Sequence, residues 1–136
     1  MRTALTLCLL ALALSACGST APSDSAEDFS GAERAVATTV EGMEDAARED
    51  DPDRLCTELF SEQLLAALKR QGTNCATAAR EAFNDASSMD LTVDDVTISG
   101  DTATAKVISG SGSNEKTDTL QLQRAGSAWK ISSLQS

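Results

Sequence analysis

Chemistry at neutral pH has few starting points in this chain. It contains no histidine and no tyrosine, so the one side chain that ordinarily changes charge between about pH 5 and 8 is missing. General acid–base work would then need a carboxylate whose pKa is raised by burial. Two groups place carboxylates close together: Glu49, Asp50, Asp51 and Asp53, and Asp90, Asp94 and Asp95. The first could be read as a hard-cation site, since carboxylates and carbonyls suit calcium. It lacks the Gly-punctuated ligand spacing of an EF-hand loop, and the plainer reading is a solvated helix end with an N-cap. The second group reads as strand-edge and turn residues, where charge discourages pairing with another chain. Zinc is not expected, because histidine is absent and no two cysteines are closely spaced. No serine has the strand-turn-helix surroundings of a nucleophile elbow. Gly110-Ser111-Gly112-Ser113 is a turn without the following helix that a phosphate cradle needs. Trp129, the only tryptophan, is either a ligand-stacking platform or the largest core contact of the last strand. Large aromatics ordinarily take the second part, and that is the expectation.

The elements that would position these residues follow from periodicity. From Phe29 to about Asp50, Phe29, Ala32, Val36, Val40, Met43 and Ala47 recur at steps of three and four, one face of a helix. Its opposite face carries Glu33, Arg34, Glu41, Glu44, Asp45 and Arg48. Ser30 with Glu33 fits a capping box, and Ser25 with Asp28 is an alternative start. Asp51-Pro52 ends this helix and opens a short one with Leu55, Leu59 and Phe60 inward. Ser61 caps a third helix with Leu64, Leu65 and Leu68 inside and Gly72 as its stop. Thr73 or Asn74 caps a fourth, with Cys75, Ala78, Ala79, Ala82 and Phe83 on one side. After Ser88 the period becomes two. Leu91, Val93, Val96 and Ile98 alternate around Asp94-Asp95, an extra residue that marks a bulge or a short break. Three further strands are expected at 102–109, 117–123 and 128–134, joined by Ser99-Gly100-Asp101, the loop 110–114 and Ala125-Gly126-Ser127. Helices first and strands afterwards predict an α+β domain, an antiparallel meander with one face under a helical layer.

The amino terminus resembles that of a bacterial lipoprotein. Met1-Arg2 is a minimal positive region, and Leu5, Leu7, Leu9, Leu10, Leu12 and Leu14 lie among alanines in an apolar run of about a dozen residues. That run is shorter than the roughly 20 residues a bilayer span requires. It closes on Leu14-Ser15-Ala16-Cys17, which is similar to a lipobox. The resemblance implies a signal peptide over 1–16, lipidation of Cys17, and an extracytoplasmic domain anchored to the cell membrane. Residues 17–27 are then a flexible tether with nothing to bury, and 28–136 are the folded domain. Removing Arg2 with the leader leaves 120 residues, with 10 Lys+Arg against 21 Asp+Glu, a formal charge of −11. Such a surface repels phosphate backbones, which excludes nucleic acid as a partner. It has no pull toward anionic lipid either, so membrane residence would rest on the acyl chains.

The same resemblance sorts the cysteines. Cys8 leaves with the leader, Cys17 is blocked as a thioether, and Cys56 and Cys75 remain in an oxidising compartment. They are expected to pair, closing a loop of about 19 residues worth roughly 3 kcal/mol; two buried free cysteines are the alternative.

Beyond the leader, the order of elements resembles the cystatin-like α+β roll of the nuclear transport factor 2 superfamily, and more narrowly the small actinobacterial lipoproteins built on it. The matching features are Cys56 and Leu59, Cys75-Ala76, the stretch Val96 to Ala103 across the first hairpin, Leu120-Gln121-Leu122, and Gly126 to Ile131. Enzymes of that superfamily commonly use Asp/His or Tyr pairs in the cone, and neither His nor Tyr occurs here. The expected function is therefore non-enzymatic and without cofactor or metal: an envelope domain that binds a protein or a small apolar ligand on the concave face of the sheet. A pocket enzyme using a buried carboxylate from the Asp90 to Asp95 group is one alternative. A purely structural envelope component is another.

Overall fold

A computed structural model describes residues 24–85, 90–110 and 112–135. The leader 1–16, Cys17 and the tether up to residue 23 lie outside the described residues. Among the described residues, a 3-10 turn (Ser25–Asp28) precedes four helical stretches: α1 (Gly31–Arg48), α2 (Pro52–Arg54) running into a π-helical turn (Leu55–Leu59), α3 (Glu62–Arg70) and α4 (Cys75–Asp85). Four strands follow, β1 (Leu91–Ser99), β2 (Thr102–Ser109), β3 (Lys116–Ala125) and β4 (Ala128–Gln135). They form one open antiparallel sheet in the order β1-β2-β3-β4. The helices cover one face of it, the α+β architecture that the switch of periodicity predicts. Among the described residues no helix is long and apolar enough to cross a membrane.

Alternation along the strands sets the two faces. Val93, Val96, Ala103, Ala105, Val107, Leu120, Leu122, Trp129 and Ile131 are buried beneath the helices. Thr92, Thr97, Thr102, Thr104, Lys106 and Gln121 are exposed on the other side. Helix α1 spans the covered face from β1 to β4, with Val36, Ala37 and Val40 fully buried. The stripe is rotated from the expected one: Ala32 is exposed, and Glu44, placed by periodicity on the solvent side, is 1% exposed. Gly42 sits where α1 meets the π-helical turn. A Cβ there would lie 3.1 Å from Leu59 Cδ2, closer than side chains normally pack, so a larger residue would require Leu59 to shift by a few tenths of an ångström.

The caps form largely as the residue types dictate. Arg54 N–H donates to Asp51 Oδ1 at 3.0 Å, Leu64 N–H to Ser61 Oγ at 3.2 Å and Thr77 N–H to Asn74 Oδ1 at 2.9 Å. Each satisfies a first-turn amide that the helix itself leaves unpaired. Asn74, rather than Thr73, is therefore the cap of α4. The capping box at Ser30 is absent, since Ser30 makes no side-chain cap. Arg34 instead donates back to the carbonyls of Phe29 and Glu27 at 2.8 and 3.1 Å.

The acidic run 49–53 is accounted for by the end of one helix and the start of the next. Asp50 is the single non-glycine residue at positive φ, +51°, among the described residues. Its N–H donates to Ala47 O at 3.3 Å and that of Asp51 to Ala46 O at 2.9 Å, the pairing of a Schellman stop in which glycine usually holds the left-handed position. Asp50→Gly is accordingly expected to stabilise the domain by about 0.5–1 kcal/mol, measured as a shift of the urea midpoint with unchanged slope.

Two bulges adjust the sheet. The first, between Val93 and Asp95 in the β1–β2 register, turns both Asp94 and Asp95 outward. Asp94 accepts from Lys106 Nζ at 2.6 Å, and this hydrogen bond and charge hold the lysine above its usual range. The second lies in β4, where Leu122 opposes Ile131 and Gln121 opposes Ser133. Ser132 is the extra residue there, and its hydroxyl donates to Gln121 O at 3.1 Å.

The expectation that residues 17–27 bury nothing fails at their end. Ser25–Asp28 is a 3-10 turn with Ser25 and Ala26 buried. Glu41 Oε1 accepts from Ser25 Oγ at 3.0 Å and from Ala26 N at 2.7 Å, and Val93 N–H donates to Ser25 Oγ at 3.0 Å. Small side chains allow this segment to lie close against α1 and β1, which composition alone does not reveal.

Candidate functional site: an apolar cleft at the end of the sheet

The inner face of the sheet is covered by the helices. What remains open is a cleft at its edge. Helix α1 contributes Met43 and the π-helical turn contributes Leu55, with Phe60 immediately after it. Leu68 comes from α3, Ala78, Ala79, Ala82 and Phe83 from α4, and Leu134 from β4. The space is about 200 Å3 and its lining is apolar throughout. That is below the roughly 300 Å3 of an ordinary small-molecule pocket, and it lacks the few convergent polar groups such pockets carry. It is comparable with apolar protein cavities of about 150 Å3 that stay dry and accept benzene.

Each wall is aimed inward by a local rule. Ala79 and Phe83 are spaced one turn apart on α4. Leu68 sits one turn after Leu64, which is buried under the same helix. Leu134 reaches the cleft because of the bulge at Ser132. Without the extra residue, alternation from Trp129 and Ile131 would place Ser133 on the inner face and Leu134 outside. With it, Leu134 pairs opposite Leu120, a buried residue. Leu134 remains 51% exposed, the one large apolar side chain so open among the described residues, and it forms the rim. Larger hollows of about 350 and 440 Å3 lie beside α3 and β3–β4, but Gln63 and Gln121 line both, with Thr102 and Thr104 in one and Arg70 and Gln71 in the other. They are solvated surface grooves.

The side chains singled out from sequence fall in three places. Cys56 and Cys75 are joined in a disulfide with Cα atoms 5.9 Å apart. The bridge ties the π-helical turn to the first residue of α4, so it braces one wall of the cleft. Trp129 is 5% exposed within the core, under the Arg124 guanidinium at 5.0 Å, and does not line the cleft. Asp90, Asp94 and Asp95 are exposed, and no three acidic or cysteine side chains converge on a common point among the described residues. The carboxylate that is buried is Glu44. It accepts from the Arg48 guanidinium and, at 3.4 Å, from Leu91 N–H, and it is not part of the cleft lining. A satisfied ion pair of this kind organises structure and leaves no free base for a substrate. Leu134, Glu44 and Ala32 are positions that period counting misassigns.

The chain matches no protein-family model, no curated protein and no solved structure.

Proposed function

We propose that this chain is a non-enzymatic binding domain that holds a small apolar molecule in the cleft between α3, α4 and the end of β4, tethered to a membrane through lipidated Cys17. The carrying observation is a wholly apolar cleft with a half-open leucine rim. Buried space without polar groups rewards a hydrocarbon guest and offers nothing to orient a reaction. The lipobox-like Leu14 to Cys17 supports an extracytoplasmic, membrane-anchored setting, where such guests partition. The order of elements, which resembles the nuclear transport factor 2 superfamily, agrees with a helix-covered sheet that leaves space at one end.

Toluene is the direct probe. Titrated into the protein and followed on the methyl resonances of Met43, Leu55, Leu68 and Leu134, it should bind with a Kd of about 1 mM or tighter. Ala82→Phe, at an exposed position on the cleft wall, should fill the space and abolish those shifts while stability changes by less than about 1 kcal/mol. Methyl shifts that are absent in the native chain, or that persist in Ala82→Phe, would remove the cleft as the binding site. Loss of toluene shifts together with capture of an intact protein partner on Leu134 would favour the protein-binding alternative.

A further inference from the structure

Helix α4 supplies Ala78, Ala79, Ala82 and Phe83, nearly half of the cleft's lining, yet little in its sequence fastens it down. It rests chiefly on α2, the π-helical turn and α3. A methyl side chain removes little apolar surface from water, so, apart from Phe83, which packs against the core, the side chains that dock this helix each add little. The short link from α3, residues 71–74, turns at Gly72 with φ +83°, and the Gly72 and Thr73 amides donate to Lys69 O and Leu68 O at 3.1 and 3.3 Å, bonds that run back into α3. What joins the near end of α4 covalently to the opposite wall is the bond from Cys75 to Cys56. Cys56 is the neighbour of Leu55 on the opposite wall. Both cysteines are partly exposed, and Cys56 also lines an open surface groove.

We propose that the Cys56–Cys75 disulfide is a redox latch on the cleft: oxidised, it fixes α4 as a wall and retains the guest; reduced, it lets α4 lift and the guest leave. This rests on the reading of the cleft as a binding site and adds its regulation. The reductant is a dithiol. Its thiolate attacks one of the two sulfurs, forming a mixed disulfide and releasing the other sulfur as a thiolate that takes up a proton. The reductant's second thiol, deprotonated, displaces the sulfur still held. The reductant departs as its own disulfide, and Cys56 and Cys75 have together gained two electrons and two protons. Affinity falls on reduction because the guest must then order α4 before it can be enclosed.

The full chain should be compared before and after dithiothreitol, by amide hydrogen exchange and by toluene titration, with Cys56→Ala/Cys75→Ala as a permanently open reference. Reduction should speed exchange of the α4 amides by about tenfold or more while β1–β4 amides are unchanged, and weaken toluene by roughly fivefold or more. The double variant should match the reduced protein in both respects and ignore dithiothreitol. Unchanged α4 exchange overturns the latch. So does exchange that rises equally in the sheet, since the bond would then be a global staple. Faster α4 exchange with unchanged toluene affinity overturns the latch and leaves the binding site standing. No toluene binding in either redox state overturns the binding site and the latch together.

Discussion

Trp129→Ala is expected to destabilise the domain by about 4 kcal/mol and to leave toluene affinity within about twofold. The indole is 5% exposed on the inner face of β4, where it fills space that neighbours cannot reclaim once it is truncated. Part of the loss is the transfer of aromatic surface to water, and part is the cavity left behind. The Arg124 guanidinium over the ring, 5.0 Å from its centroid, adds up to about 1 kcal/mol at a half-exposed position. Because the ring is no part of the cleft lining, ligand binding should be spared. Urea unfolding and the toluene titration on the same variant separate the two roles of this residue. Abolished binding with unaltered stability would make Trp129 the stacking platform after all.

Arg48→Met should cost about 4 kcal/mol, and Glu44→Gln only about 1 kcal/mol, although both break the same ion pair. The asymmetry comes from burial. The Glu44 carboxylate is 1% exposed and the Arg48 side chain 34%. Removing the arginine strands a negative charge inside the protein with the Leu91 amide, at 3.4 Å, as its remaining donor. Removing the charge on residue 44 keeps an acceptor for Leu91, and the guanidinium turns to water. Equilibrium denaturation of the two variants gives the order, and a glutamine variant as damaged as the methionine one would show that the pair matters for some other reason.

Most of the architecture is legible in the residues. Asp51-Pro52, Ser61 and the Thr73-Asn74 pair mark helix starts through side-chain oxygens that accept first-turn amides, a local chemistry independent of the rest of the chain. The spacing Val93-Asp94-Asp95-Val96 betrays a bulge, since two inward residues three apart cannot alternate in a regular strand. Ile131-Ser132-Ser133-Leu134 carries the same signature. It passes unread because serines are neutral to the face they occupy, and so the rim of the cleft goes unseen. Glu44 is illegible for a different reason. Helical periodicity sorts residues by polarity, and a buried charge is identified only by its partners, Arg48 in the next turn and an amide 47 residues away. The cleft is a tertiary product: its walls other than Leu134 are foreseeable as inward-facing, but where they fail to meet depends on how four helical segments and one strand end come together.

The outer strands of the sheet are also occupied. On β1, the Leu91 and Val93 amides are taken by Glu44 and Ser25. On β4, the Ile131 carbonyl accepts from Ser61 N–H at 2.9 Å, beside the bridge from Phe60. At these positions the groups that an added strand would need are already engaged. Pairing of a further strand along either edge would first have to break these contacts.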